Sequence, residues 1–408
     1  MKTTAAAVIA ALLSFLVGTV WVFASADMFV QYFYETRMVA LAHVFTLGWV
    51  SLMIVGVLRQ LGPVAFGLTL RGATAISAAV AAWIPALIAM IVGFATREYT
   101  VAGVATSVLF ASIVTVTTVF LLSFRGVKRE PAHNCLLAAL LYFISAATLG
   151  AWMGLAKGFD VPLPAAFHRV LFAHIHLAGA GWAGMMIIAV MSRLFPQPHL
   201  RHPAAARLRF IGFQVGLAGL AIGLLSNTGW YELFGSILAV TCVWYALAFI
   251  PVLREFAQPS DRSTAFLVAS WCSLGAVAML GLWLVVAPQI QLQFVYGFLY
   301  LFGWLSFMML GMLYRIIPTH VSKLLAARGV ATPLGLRRDF VSPKLQLVVL
   351  IALLVGLVVA SAGILAQNVG VFRLGWAMWM SGTAAFFGGL LRLGIAVKRT
   401  LTNVEAPS

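Results

Sequence analysis

Apolar residues run along this chain in long stretches, and polar residues gather in the short gaps between them. Stretches of spanning length fall at roughly 4–25, 38–58, 73–95, 101–123, 135–155, 169–193, 208–226, 230–252, 264–287, 292–316, 344–366 and 373–396. Each is close to the ~20 residues an α-helix needs to cross ~30 Å of hydrocarbon. The pattern predicts an all-α integral membrane protein with twelve transmembrane helices. The first stretch ends in Ala24-Ser25-Ala26 before Asp27, which resembles a signal-peptidase site. Its apolar run of about 21 residues exceeds the ~7–15 of a signal peptide's core, so it is read as a retained helix.

Composition fixes the solvent. Of 408 residues, 63% are hydrophobic and 9% charged, against about 45–50% and roughly 25% in soluble domains. No soluble core could hide that much apolar surface, so lipid surrounds most of the chain. The net charge of +16 would suit a nucleic-acid binder, but the basic residues punctuate the apolar runs instead of forming a patch. With the N-terminus placed inside and the loops alternating, only Arg37, Arg97, Lys157, Arg169 and Arg373 fall outside, leaving 21 of the 26 Lys and Arg on the inner side. This bias predicts a multi-pass protein of a bacterial-type inner (plasma) membrane, both termini cytoplasmic. The longest loop, about 317–343, is then cytoplasmic too, and its prolines, glycines and arginines read as a surface loop, not a second domain. Cys135, Cys242 and Cys272 lie far apart inside apolar segments, with no spacing for a disulfide or zinc framework.

Three segments read alike. The second stretch contains His43, then Gly48-Trp49, Met53, Arg59 and Pro63. The sixth contains His174 and His176, then Gly181-Trp182, Met185-Met186, Arg193 and Pro196. The tenth contains Tyr296 and Phe298, then Gly303-Trp304, Met308-Met309, Arg315 and Pro318. The tryptophans are 133 and 122 residues apart, and each interval holds four predicted helices. A four-helix block used three times follows: one membrane domain, 1–408, with repeats at approximately 1–130, 131–260 and 261–400. Packing accounts for the small and terminal residues of the frame: Gly for close approach, Arg for the inner interface, Pro for ending the helix. The informative position is the one six residues before each Trp, occupied by His43, His176 and Phe298.

Of the eight histidines, His133, His199, His202 and His320 fall in predicted cytoplasmic loops and are expected to be solvated or headgroup-facing. His168 sits at the outer mouth of the sixth helix. His43, His174 and His176 are predicted one to two turns below the outer surface, where an ionisable group is costly and points to function. Imidazoles at matched depth on two helices are what an axially ligated haem requires, and His43 and His176 share the same slot. His174 and His176 point about 200° apart on a helix. One of them can face the first block while the other turns toward the third. All ten acidic residues fall in loops, tails or near helix ends, so the mid-membrane carboxylate usual in proton-coupled pumps is missing.

In these segments the chain resembles subunit I of the haem-copper oxidase superfamily, which includes the C-type cytochrome c oxidases and nitric oxide reductases. The resemblance implies twelve helices in three four-helix arcs with pseudo-threefold symmetry, and metal ligands near the outer side on the second, sixth and tenth helices. By it, His43 corresponds to the low-spin haem ligand, and His174 and His176 lie on the helix that contributes a copper-ligating His. The family's histidine pair on the seventh helix has no match in 208–226, and its two on the tenth have none in 292–316. A complete haem-copper centre is therefore not expected. A single bis-His haem, b-type, held by His43 and His176 is, with His174 at a second site. Size, helix number and intramembrane histidines also resemble the NnrS family of short haem- and copper-containing membrane proteins linked to nitric oxide stress. The resulting expectation is a haem protein of respiratory electron transfer or nitric oxide metabolism. If it is an enzyme it is an oxidoreductase, and its partners are membrane lipid, cytochrome c or other respiratory subunits, with no nucleic acid. A haem-free transporter or copper-handling protein on the same fold is the alternative, and a structural subunit of a respiratory complex a third.

Overall fold

The computed structural model describes residues 2–31, 35–258, 261–330 and 342–405. Among them are twelve helices long and apolar enough to cross a membrane. They are α1 (Thr3–Ala24), α2 (Thr36–Phe66), α3 (Ala73–Thr96), α4 (Tyr99–Leu122), α5 (Pro131–Phe159), α6 (Phe167–Leu194), α7 (Pro203–Leu225), α8 (Trp230–Glu255), α9 (Ser263–Val286), α10 (Ile290–Ala326), α11 (Pro343–Leu365) and α12 (Val369–Thr402). Two short helices, Ala26–Val30 and Gln197–Leu200, follow α1 and α6. The described residues form no strand, only one isolated bridge between Gln258 and Asp261. The protein is a multi-pass, all-helical membrane protein.

The chain divides into two compact units, one of Met1–Trp21, Tyr32–Tyr245 and Ala278–Pro288, the other of Val22–Gln31, Ala246–Val277 and Gln289–Ser408. In the first, α1 meets α2 and α5 meets α6 through the Gly-Trp dipeptides. Trp49 stacks on Phe15 with centroids 4.6 Å apart, and Trp182 on Phe143 at 3.9 Å. A Cβ on Gly48 would strike the Ser14 side chain, and one on Gly181 would strike Tyr142. The second unit repeats the contact between α9 and α10: Trp304 lies 6.3 Å from Trp271, and a Cβ on Gly303 would strike Ser273. So in each case glycine opens the approach and the neighbouring indole fills the space beside it.

The three Gly-Trp helices share a feature the sequence did not announce. Each is α-helical up to the slot residue and then becomes π-helical for eight residues: Val44–Ser51 after His43, Leu177–Gly184 after His176, Leu299–Ser306 after Phe298. Gly and Trp occupy the fifth and sixth places of every π segment. Where the last residue is serine, its hydroxyl follows the wide turn by donating five residues back, Ser51 to the Thr46 carbonyl at 2.7 Å and Ser306 to that of Leu301 at 3.0 Å. Most π-helical turns are single and cluster at functional sites.

The α3–α4, α7–α8 and α11–α12 pairs are tight antiparallel hairpins. Each first helix ends on a non-glycine residue in the left-handed region, Arg97 (φ 65), Asn227 (φ 58) or Gln367 (φ 50). Four residues earlier stands Gly93, Gly223 or Gly363, where a Cβ would run into the backbone nitrogen of Ala102, Tyr231 or Phe372 on the returning helix.

Helix ends depart from the sequence expectation. Pro63 and Pro318 do not end their helices but lie inside them. α10 runs on to Ala326, into the stretch expected to be loop. Residues 331–341 of that stretch, with Arg337, Arg338 and Asp339, lie outside the described residues. α2 stops at Gly67, in the left-handed conformation at φ 62 that commonly closes a helix. Its orphan terminal carbonyls are taken from elsewhere: Arg193 donates to the Ala65 carbonyl, and His133 Nε2 donates to that of Phe66 at 2.9 Å. Arg193 also pairs with Glu130, the N-cap of α5, whose backbone N–H donates to His133 Nδ1 at 3.0 Å. His133 is therefore a buried strut, 3% exposed, not a solvated loop residue. The other unit has its own version, in which Arg315 donates to Ser263 and Thr264 at the start of α9, where Asp261 holds the Ser263 N–H and hydroxyl.

Candidate functional site

His43 and His174 are each the eighth residue of their spanning helices, which begin at Thr36 and Phe167. At 1.5 Å per residue both lie about 10 Å along from the helix start. The structure brings these two rings together, with centroids 6.2 Å apart and planes inclined at 31°. Of the two α6 histidines, His174 is thus the one beside His43, although His176 holds the matching slot in the repeat.

All three intramembrane imidazoles are fixed through Nδ1. His43 bonds the Val39 carbonyl at 2.7 Å and His176 that of Phe172 at 2.8 Å, each one turn back on its own helix. His174 reaches across to the Ala146 carbonyl of α5 at 2.8 Å. A carbonyl only accepts, so Nδ1 carries the proton in every case, and in the neutral ring Nε2 carries the lone pair. Among the described residues, Nε2 of His43 and of His174 makes no hydrogen bond. This is the tautomer and orientation of a metal-ligating histidine, whose other nitrogen is held by a carbonyl.

Two neutral imidazoles 6.2 Å apart, each with Nδ1 committed to a carbonyl, are donors that would suit haem iron. Gly150 of α5 permits the arrangement, since a Cβ there would sit 2.9 Å from His174 Cε1. Sequence reading passed over Ala146 and Gly150; their only signal is small residues one turn apart facing a histidine helix.

The third slot is filled differently. Phe298 lies in an aromatic cluster with Phe29, Phe302, Phe372 and Trp376, at centroid distances of 6.2, 4.8, 6.1 and 5.8 Å. Phenyl rings offer no ligand atom, so that unit packs where the other presents imidazole. Among the described residues no group of three or more His, Cys, Asp or Glu is placed to hold a metal ion. His168 is exposed, against Phe172 at 6.5 Å. His202 and His320 are exposed, as expected. His199 is not: it is 8% exposed, shares a hydrogen bond with Ser192, and its pKa is pushed down to about 4 by burial and by the Arg209 charge. At the other end of α2 and α3, Glu35 pairs with Arg37 at 2.9 Å and Arg97 at 3.2 Å, and the Arg37 guanidinium chiefly holds its carboxyl below the usual range.

The chain matches no protein-family model and no curated protein.

Proposed function

We propose that the protein is a haem-binding integral membrane protein resembling subunit I of the haem-copper oxidases, that it works in respiratory electron transfer or nitric oxide metabolism, and that His43 and His174 are the axial pair of a single b-type haem. The reading rests on one observation: two imidazoles at equal helical depth, 6.2 Å apart, with both Nδ1 atoms committed to carbonyls. His176, about 200° around the helix from His174, is outside the pair. A bound haem supplies one-electron exchange at iron. The chain's part is to hold it: the Val39 and Ala146 carbonyls fix the tautomer, orient the rings and raise their basicity.

The remaining features are consistent with this. The recurring π segments, indole contacts and helix hairpins support three four-helix blocks in pseudo-threefold arrangement. The Lys and Arg distribution supports a bacterial-type inner membrane with both termini cytoplasmic and the His43–His174 pair toward the outer side, where cytochrome c or another respiratory subunit would exchange electrons with it. If the protein is an enzyme, it is an oxidoreductase. A second reading has the same pair holding a bare copper ion in a haem-free protein, because a 6.2 Å spacing does not require a macrocycle and imidazole suits copper as well as iron.

The test is a reduced-minus-oxidised absorption spectrum, with metal analysis, of protein purified from haem-sufficient cells. A Soret band with one iron per chain is expected. A colourless preparation containing copper would replace the haem reading with the second, and one with neither metal would sink both.

A further inference from the structure

Arg209 lies on α7, six residues in from Pro203, and is 4% exposed. Its Nη2 donates to the Pro198 carbonyl at 3.1 Å, while Nε is buried with no hydrogen bond among the described residues. The guanidinium carbon sits 5.4 Å from the Trp244 ring and 5.6 Å from the Tyr245 ring, both on α8. Among the described residues no carboxylate pairs with Arg209. A buried cation without a counter-ion is costly unless something anionic completes it. Two further polar atoms in the same neighbourhood are buried and unpartnered: the Tyr245 hydroxyl, and Oε1 of Gln197, next to the Pro198 that Arg209 holds.

The flanks show where an anion would come from. Leu208 on α7 is 58% exposed, and Trp244, against the guanidinium, is itself 37% exposed. This is surface for hydrocarbon beside the buried guanidinium, so a headgroup would approach laterally from the bilayer. By the charge bias this is the inner leaflet, where basic pockets between helices take anionic headgroups. Guanidinium geometry matches phosphate oxygens. The orphan Tyr245 hydroxyl adds a donor, and Gln197 Oε1 is an acceptor with no use for phosphate but suited to a headgroup hydroxyl.

We propose that Arg209, with Tyr245 and Gln197, forms a headgroup site for one anionic, hydroxyl-bearing phospholipid of the phosphatidylglycerol kind, its phosphodiester on the guanidinium and its acyl chains along the α7–α8 flank. The site does not depend on the haem reading.

The experiment is native mass spectrometry of the delipidated full chain in neutral detergent, titrated with phosphatidylglycerol, phosphatidylcholine or inorganic phosphate, with the unfolding midpoint followed in parallel. One phosphatidylglycerol should be retained per chain under activation that strips phosphatidylcholine. Arg209→Gln should lower that retention at least tenfold. Arg209→Lys keeps the charge but lacks Nε; it should fold and lower retention several-fold, which covers the case in which the glutamine variant fails to fold. Equal retention of both lipids by the unsubstituted protein overturns the proposal, as does undiminished retention in Arg209→Lys. Inorganic phosphate matching the stabilisation given by phosphatidylglycerol would assign the site to a free anion and overturn the lipid.

Discussion

Gly150→Ala separates a ligand geometry from ordinary helix packing. The added Cβ would lie 2.9 Å from His174 Cε1 and 3.3 Å from Nδ1, against about 3.4 Å for an ordinary contact, so the ring must retreat by about 0.5 Å. That motion pulls on the 2.8 Å bond from Nδ1 to the Ala146 carbonyl. Overpacking of this kind costs ~1–3 kcal/mol, and replacing glycine within a helix returns up to ~1 kcal/mol. The fold should lose about 0–2 kcal/mol and survive, while the imidazole pair is misaligned. Gly275→Ala is the control, because a Cβ there meets nothing within 4 Å. The assay is the unfolding midpoint together with the Soret maximum and haem midpoint potential of both variants. Gly150→Ala should shift the haem signals and leave the unfolding midpoint near its starting value, and Gly275→Ala should leave the haem signals alone. Haem signals in Gly150→Ala equal to those in Gly275→Ala would refute the reasoning.

Ser51→Ala removes the acceptor of the Trp182 indole N–H, a buried bond of 3.0 Å between α2 and α6. A double-mutant cycle with Trp182→Phe should return a coupling of about 0.6 kcal/mol, the average for hydrogen bonds between membrane helices, and at most ~1.7 kcal/mol; zero coupling would remove this bond as a tie between the two helices. His199, with its pKa lowered to about 4 from 6.5, binds its proton less readily folded than unfolded. Stability tied to it is complete above pH ~6.5 and is lost as pH falls toward ~4. His199→Gln should flatten the unfolding midpoint across that window, and an unchanged pH profile would show that some other group titrates.

The twelve helices were legible because lipid imposes a plain rule: about 20 apolar residues, charges at the ends. What was hidden depends on phase and on partners. His174 and His176 differ by two positions, and apolar periodicity cannot say which faces α2 when both neighbouring faces are apolar. The π segments carry no compositional mark beyond the Gly-Trp they enclose; they became visible only as backbone, where they set the phase below each slot residue. His133 was misread because α5 begins at Pro131, ahead of the apolar run, and its first turn caps α2 from another part of the chain. Local sterics make Pro63 and Pro318 read as helix ends, whereas in a membrane neighbouring groups can satisfy the freed carbonyls.

The identity of the axial pair is the central claim, and histidine substitution read by spectroscopy tests it most directly. In protein purified from haem-sufficient cells, His43→Ala and His174→Ala should each abolish the low-spin spectrum or convert it to a five-coordinate one, while His176→Ala should keep a six-coordinate low-spin band. A low-spin band lost in His176→Ala and kept in His174→Ala would contradict the account and return the ligand role to the residue in the repeated slot.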